Sequence, residues 1–333
     1  MNNRYYDLFR TVSGAKSESV NAAKHFFSNF EELNGDLVTT AQRVRTCILE
    51  GGFCYHDKVF TLQDIMEKKS GNCLGLTLLI GAELLNRGYR PEFRIITHPQ
   101  DAIHKQDLRF FKELCRGEHF DYDNPILPME QAKHPMYRFA PLEHPLMVLE
   151  GKEFDLTNLD VEEDPFWTPP AEKRMDVEFH HVASCVLVDR AQIEFLSDRF
   201  DFKTLTRYCM EAIEIWPDNL EAWEFLWYLG SKIKDENLKK KARKRYLDQE
   251  GDDSRYHYNA YEMTSDEGHL DMALEKFPAF KDAFFEKHVI KATDKQEKRF
   301  NFAVTAWCVA NSCAYDLKRF YRENKRLLTT IGF

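Results

Sequence analysis

Apolar residues recur at three-to-four spacing through residues 21–33 and again through 37–49, with Asn34-Gly35 between them. That spacing predicts two amphipathic helices separated by a break. Gly51-Gly52 ends the second. Thr61-Leu62-Gln63-Asp64 then opens a short helix, with Thr61 as N-cap and Asp64 at the third position, the pattern of a capping box. Gly71-Asn72-Cys73 leads into a strongly apolar helix that stops at Asn86-Arg87-Gly88. The run EFRIIT over 92–97 is rich in β-formers. So are 146–149 and 153–156, which Glu150-Gly151-Lys152 joins as a predicted hairpin.

Between these strands, residues 98–142 are rich in charge, His and Pro, with 106–115 as a candidate helix. A connection of that length inside a domain is an insertion, functional or locally helical. Residues 162–174 (EEDPFWTPPAEKR) hold three prolines and predict a linker. Beyond it the pattern is helical to the end. Ala212, Pro217, Trp223 and Leu226 stand 5, 6 and 3 residues apart, and Ala273, Pro278 and Phe284 repeat the first two intervals. In each, a helix ends at proline and the next begins with an aromatic knob, as in tetratricopeptide repeats, whose helix pairs stack to bury their apolar faces. The expected architecture is α+β, with a first domain over 1–165 (98–142 inserted), a linker over 166–177, and an all-α repeat domain over 178–333.

Composition narrows the function classes. Hydrophobic residues make up 43% and charged ones 30%, with a net charge of −9. Such an acidic balance argues against a phosphate-binding surface, so no nucleic-acid partner is expected. The one basic run, from Lys239 to Arg245, reads as the solvated face of a helix. The longest apolar run, 76–85, includes Thr77 and Glu83 and falls short of the roughly 20 residues that span a bilayer, so no membrane association is expected. MNNRYYDLFR lacks the apolar core of a secretory signal. The eight cysteines are scattered without a CxxC pair, which fits reduced thiols in the cytoplasm. Despite twelve histidines there is no HxxxH, HxH or cysteine-pair spacing for a metal, and no phosphate loop, GxGxxG or GxSxG for a cofactor or nucleophile elbow.

The candidate chemistry centres on SGNCLGLTLLIGAELLNRGYRPEFRII. It sets Cys73 in the first turn of a helix, where unpaired backbone N–H groups and the helix dipole favour a thiolate and can cradle an oxyanion. Gly71 and Gly75 would let a substrate chain approach the sulfur. A thiolate nucleophile also needs an imidazole and a group that orients it. His144 begins one predicted hairpin strand, and Asp155 lies eleven residues on, across the turn. His98, at the end of the preceding strand, is the competing base. Asn72 and Gln63 are candidates to polarise a carbonyl, although cap and surface roles explain them more simply. The adjacent His180-His181 reads as a helix-start pair. Cys47, Cys54, Cys115, Cys185, Cys209, Cys308 and Cys313 read as small buried hydrophobes.

TLQDIMEKKSGNCLGLTLLIGAELLNRGYRPEFRI resembles the cysteine block of the transglutaminase-like, papain-like superfamily, and HPLMVLEGKEFDLTN resembles its histidine-aspartate block. The resemblance covers residues 40–97 and 140–160, and more loosely 178–290, where the helical tail resembles that of bacterial members carrying tetratricopeptide-like repeats. It implies Cys73 as nucleophile, His144 as base and Asp155 as orienting acid. The implied activity is acyl transfer from a peptide bond or glutamine amide on a protein or peptide substrate (peptidase, deamidase or transglutaminase), without a cofactor or metal. Two features depart from the family pattern: Pro145-Leu146 rather than an aromatic follows the histidine, and 71 residues separate it from Cys73. The alternative from another class is an idle domain of this kind, serving as a scaffold whose repeats bind a protein partner.

Overall fold

Short polar side chains start the helices. The structure is a computed structural model that describes residues 3–28, 35–56, 59–97, 143–155, 166, 173–195, 200–276, 283, 286–287, 304, 307 and 317–325. Along the chain come α1 (Arg4–Ser13), α2 (Ser17–Ser28), α3 (Leu37–Glu50), β1 (Cys54–Tyr55), α4 (Leu62–Lys68), β2 (Ser70–Gly71), α5 (Cys73–Asn86) and β3 (Glu92–Thr97). Next are β4 (Glu143–Leu149), β5 (Lys152–Phe154), β6 (Lys173–Val177), α6 (Phe179–Phe195), α7 (Phe202–Ile215) and α8 (Leu220–Ile233). Last come α9 (Glu236–Leu247), α10 (Ser254–Thr264), α11 (Glu267–Lys276) and α12 (Leu317–Glu323). Asp36, Thr61, Asn72, Asp201, Asn219 and Asp253 each accept a backbone N–H of the first turn they precede. This satisfies donors that a helix start otherwise leaves unpaired.

Four strands form an antiparallel sheet in the order β5-β4-β3-β6, and β1 and β2 form a separate parallel pair. The hairpin between β4 and β5 turns at Glu150 and Gly151, both with positive φ (51° and 79°). A primed two-residue turn requires that pair of left-handed positions, and its twist matches that of the strands. Residues 173–177, read from the sequence as the end of a Pro-rich linker, instead form the edge strand against β3. Arg94 on β3 laces the sheet together, bridging Glu153 of β5 at 2.8 Å and Asp176 of β6 at 2.6 Å.

The compact division of the chain falls after Ala242: residues 1–98 and 141–242 form one unit. Helices α6–α8 thus share a core with the sheet. Phe179 at the start of α6 packs edge-on against both Tyr5 and Phe93, at 5.4 and 5.5 Å between ring centres. Arg190 donates to the Val12 carbonyl at 2.8 Å. The proline-aromatic pattern appears here as a contact, since the Trp223 indole N–H donates to the Pro217 carbonyl at 2.8 Å. In the second unit, α10 and α11 pack around Tyr258, Tyr261, Leu270, Ala273 and Ala283. On α9, Ala242 and Tyr246 turn inward, while Lys240, Lys241, Arg243, Lys244 and Arg245 face solvent. No helix among the described residues is long and apolar enough to cross a membrane. The expected helix over 106–115, the insertion 98–142 that contains it, Pro278 and Phe284 lie outside the described residues.

Helix α5 is the centre of the first unit. Every residue from Cys73 to Leu85 is buried. Its one charge, Glu83, accepts the Tyr6 hydroxyl at 2.7 Å and pairs with Arg87. A Cβ at Gly81 would stand 2.8 Å from the Phe93 ring and 3.3 Å from that of Phe179. Gly81→Val is therefore expected to destabilise the protein by about 1–3 kcal/mol through overpacking. Urea denaturation would measure it, and an unchanged midpoint would show that α5 is not held this closely.

Candidate active site

Helix α5 delivers Cys73 as its first residue, with Asn72 as the N-cap accepting the Gly75 N–H at 2.8 Å. The N–H groups of Cys73 and Leu74 have no acceptor within the helix, as at any helix start. One turn on, the Thr77 hydroxyl donates to the Pro145 carbonyl at 3.1 Å, inside the protein. That bond fixes the helix against β4 one residue from His144.

The hairpin brings in the other two groups. Met147 pairs with Phe154 and Val148 with Glu153. Continued by one step, this register sets Asp155 opposite Leu146, diagonal to His144 on the same face, a spacing that long side chains bridge. The His144 Nε2 and Asp155 Oδ2 atoms are 3.0 Å apart. A carboxylate can only accept, so Nε2 carries the hydrogen toward Asp155, and Nδ1 is the ring's other hydrogen-bonding atom. The Cys73 side chain is the ring's second hydrogen-bond partner.

Burial is the largest single influence on His144 and opposes its charge, yet the hydrogen bonds and negative charges of Asp155 and Cys73 together outweigh it and raise the ring to about 10. The other buried thiols contrast with this. Burial, with the charge of Glu50 second, pushes Cys47 up to about 11, and full burial pushes Cys209 higher still. Among the described residues no imidazole is one of the groups that shift either thiol.

Of the remaining sequence candidates Asn72 stays beside the sulfur as the N-cap of α5, while the others have partners elsewhere or lie outside the described residues. Gln63 spends its amide on Glu67 at 2.8 Å. Asn72 is a cap. His180 pairs with Glu178 at 3.2 Å, and His181 stacks on Trp216 at 5.3 Å. His98, Cys115, Cys308 and Cys313 lie outside the described residues. No group of His, Cys, Asp and Glu among the described residues could hold a metal ion.

Beside the sulfur is a cavity of about 20 Å³, room for one water. Asn72, Cys73 and Leu74 line it at the helix start, Ile95 and Pro145 from the sheet, and Cys185, Asp189 and Glu221 from α6 and α8. Asp189 and Glu221 are residues that sequence reasoning missed. The available signals were weak: an acid that closes the apolar run VASCVLV directly before Arg190, and an acid in a first helical turn, which the helix dipole explains by itself. A wider hollow of about 1050 Å³ lies elsewhere, along Tyr5, Thr11, Phe93 and Phe179, and has no thiol among its described lining residues.

Compared with protein-family models, with curated proteins and with solved structures, the chain finds no match.

Because the folded chain holds the His144 proton more tightly than an ordinary histidine near pH ~6.5, its stabilisation is complete below that pH and is lost as pH rises through about 10. Imidazole NMR on wild type should show His144 titrating near the top of that window. Asp155→Asn should bring it down toward the ordinary value and flatten the alkaline loss of stability. A variant titrating like wild type would show that Asp155 does not act on the ring.

Proposed function

We propose that this chain is a cysteine-dependent acyl-transfer enzyme of the transglutaminase-like, papain-like kind, acting on a peptide bond or glutamine amide of a protein or peptide. The observation that carries this is the His144 ring held between Asp155 and Cys73, at the first turn of a buried helix.

At neutral pH the ring is an imidazolium, so the proton that a leaving amine needs is already on it. The Cys73 sulfur attacks the acyl carbon, and the oxyanion that forms lies at the helix start, where backbone N–H groups point outward. The carbon–nitrogen bond breaks, the amine leaves with the imidazolium proton, and a Cys73 thioester remains. Water or a second amine then attacks the thioester, giving its proton back to the ring as the sulfur departs. Asp155 fixes the ring's tautomer and direction throughout. The helical hairpins from α6 onward, with their proline-aromatic contact, fit tetratricopeptide-like units that would bring a protein partner to the site. A mechanism that depends on a thiol suits the reducing cytoplasm.

Iodoacetamide tests the reading directly. Cys73 is buried and Cys54 exposed, so accessibility alone predicts faster labelling of Cys54. An activated sulfur predicts the opposite: Cys73 should label at pH 6.5 about tenfold or more faster than Cys54, and His144→Ala should erase the advantage. Peptide mapping by mass spectrometry gives both rates. Cys73 labelling no faster than Cys54 would overturn the enzyme reading in favour of an inactive scaffold that binds partners through its helices.

A further inference from the structure

Two imidazoles meet inside the second unit. His257 on α10 and His269 on α11 bring their Nδ1 atoms within 3.1 Å of each other. The His257 side chain is only 4% exposed, and His269 is half-buried. At that separation one nitrogen carries a hydrogen and the other must offer its lone pair. Asp252 assigns the roles. Its carboxylate stands 3.7 Å from His257 Nε2, beyond hydrogen-bond reach but near enough to favour a hydrogen over a lone pair on that atom. His257 therefore accepts at Nδ1 from the Nδ1–H of His269. Tyr256 stands nearly perpendicular to both imidazoles, at 5.4 and 6.5 Å between ring centres, and stacks on Tyr246 of α9 at 5.2 Å. Among the described residues the acids that face His257 are Asp252 and Asp253. Asp252 is bridged to Lys276 at 2.7 Å, and Asp253 caps α10 at the Tyr256 N–H. Burial first, and then the charge of His269, hold His257 below the ordinary histidine value, against the pull of the two acids.

A first proton leaves this contact intact, because one ring is charged and the other still accepts. A second removes the last facing lone pair. Two N–H groups then oppose each other between two positive rings, and the contact is lost. We propose that His257 and His269 form an acid-released latch between α10 and α11, closed while the rings share one bridging hydrogen and opened when both are protonated. In opening, the neutral pair takes two protons from water, the N–H···N bond breaks, and no other bond changes. His269 is the ring that moves, since His257 lies in a stretch of α10 buried from Ser254 to Tyr261. Its departure uncovers Leu270 and Ala273 of α11 and Tyr258 and Tyr261 of α10, which pack together in the closed form. The folded chain binds a proton at His257 more weakly than an ordinary histidine near pH ~6.5 does. The latch thus contributes in full above that pH and is lost as pH falls through the lower folded value. It is independent of the acyl-transfer reading.

Hydrogen exchange of the full chain tests the latch, read by mass spectrometry and corrected for the chemical pH dependence of exchange. Protection of the α11 amides should fall about tenfold or more from about pH 7.5 to about pH 5, while α5 stays protected. In His269→Asn an amide replaces the ring and can turn to offer either Nδ2–H or Oδ1, so it meets His257 in both protonation states. There α11 should remain protected at both pH values. Asp252→Asn removes a carboxylate that favours a charged His257 and should move the opening to lower pH. Wild-type α11 protection that ignores pH, or an equal fall in His269→Asn, would overturn the latch. Should His269→Asn fail to fold, imidazole NMR of the wild type decides. The two rings must titrate as a coupled pair in two steps, and two independent single titrations would overturn it equally.

Discussion

The geometry of the first unit depends on one buried hydrogen bond, from the Thr77 hydroxyl to the Pro145 carbonyl. It ties a helix that is apolar on all sides to a strand that is buried along most of its length. Apolar packing gives such a helix adhesion but little register, because hydrocarbon contacts are non-directional. A hydroxyl with a single partner supplies the missing direction. It lies four residues after Cys73 and one after His144, so it fixes the distance between sulfur and ring. The Pro145 carbonyl is exactly the group a proline still offers: the residue has no N–H for the ladder, but it retains a full acceptor. Pro145, where the sequence resemblance leads one to expect an aromatic, thus becomes part of the positioning.

The site was legible in the sequence wherever its determinants were local. Asn72 before Cys73 announces a helix start. Glu150-Gly151 between two β-rich runs announces a tight turn, and the register of that turn brings Asp155 diagonal to His144. What was not legible came from far along the chain. Asp189 and Glu221 line the cavity beside the sulfur from helices more than a hundred residues later, and nothing in the sequence around them distinguishes them from ordinary helix charges. The edge strand Lys173–Val177 was obscured for another reason. The prolines lie before it, and its own residues alternate half-buried and exposed, as an edge strand with one solvated side requires. The extent of the first unit was hidden for the same reason as the acids: α6 looks like the start of a new helical domain until Phe179 is seen between Tyr5 and Phe93.

Electrostatics around the sulfur are arranged so that the proton moves at the right moment in the proposed reaction. His144 is held up by two negative partners, Asp155 and Cys73, against the opposing effect of burial. Only one of these partners is permanent. When the sulfur becomes a thioester its charge disappears, the ring loses that part of its support, and burial counts for more. The imidazolium becomes a stronger acid at the step in which the leaving amine needs a proton. When the thioester breaks, the charge returns and the ring becomes a stronger base, as the attacking group sheds its proton. Asp155 on its own would give a ring of constant basicity, and a lone buried histidine would stay neutral. In the proposed reaction the alternation arises because the group to be acylated is also one of the groups that set the affinity of the ring for its proton.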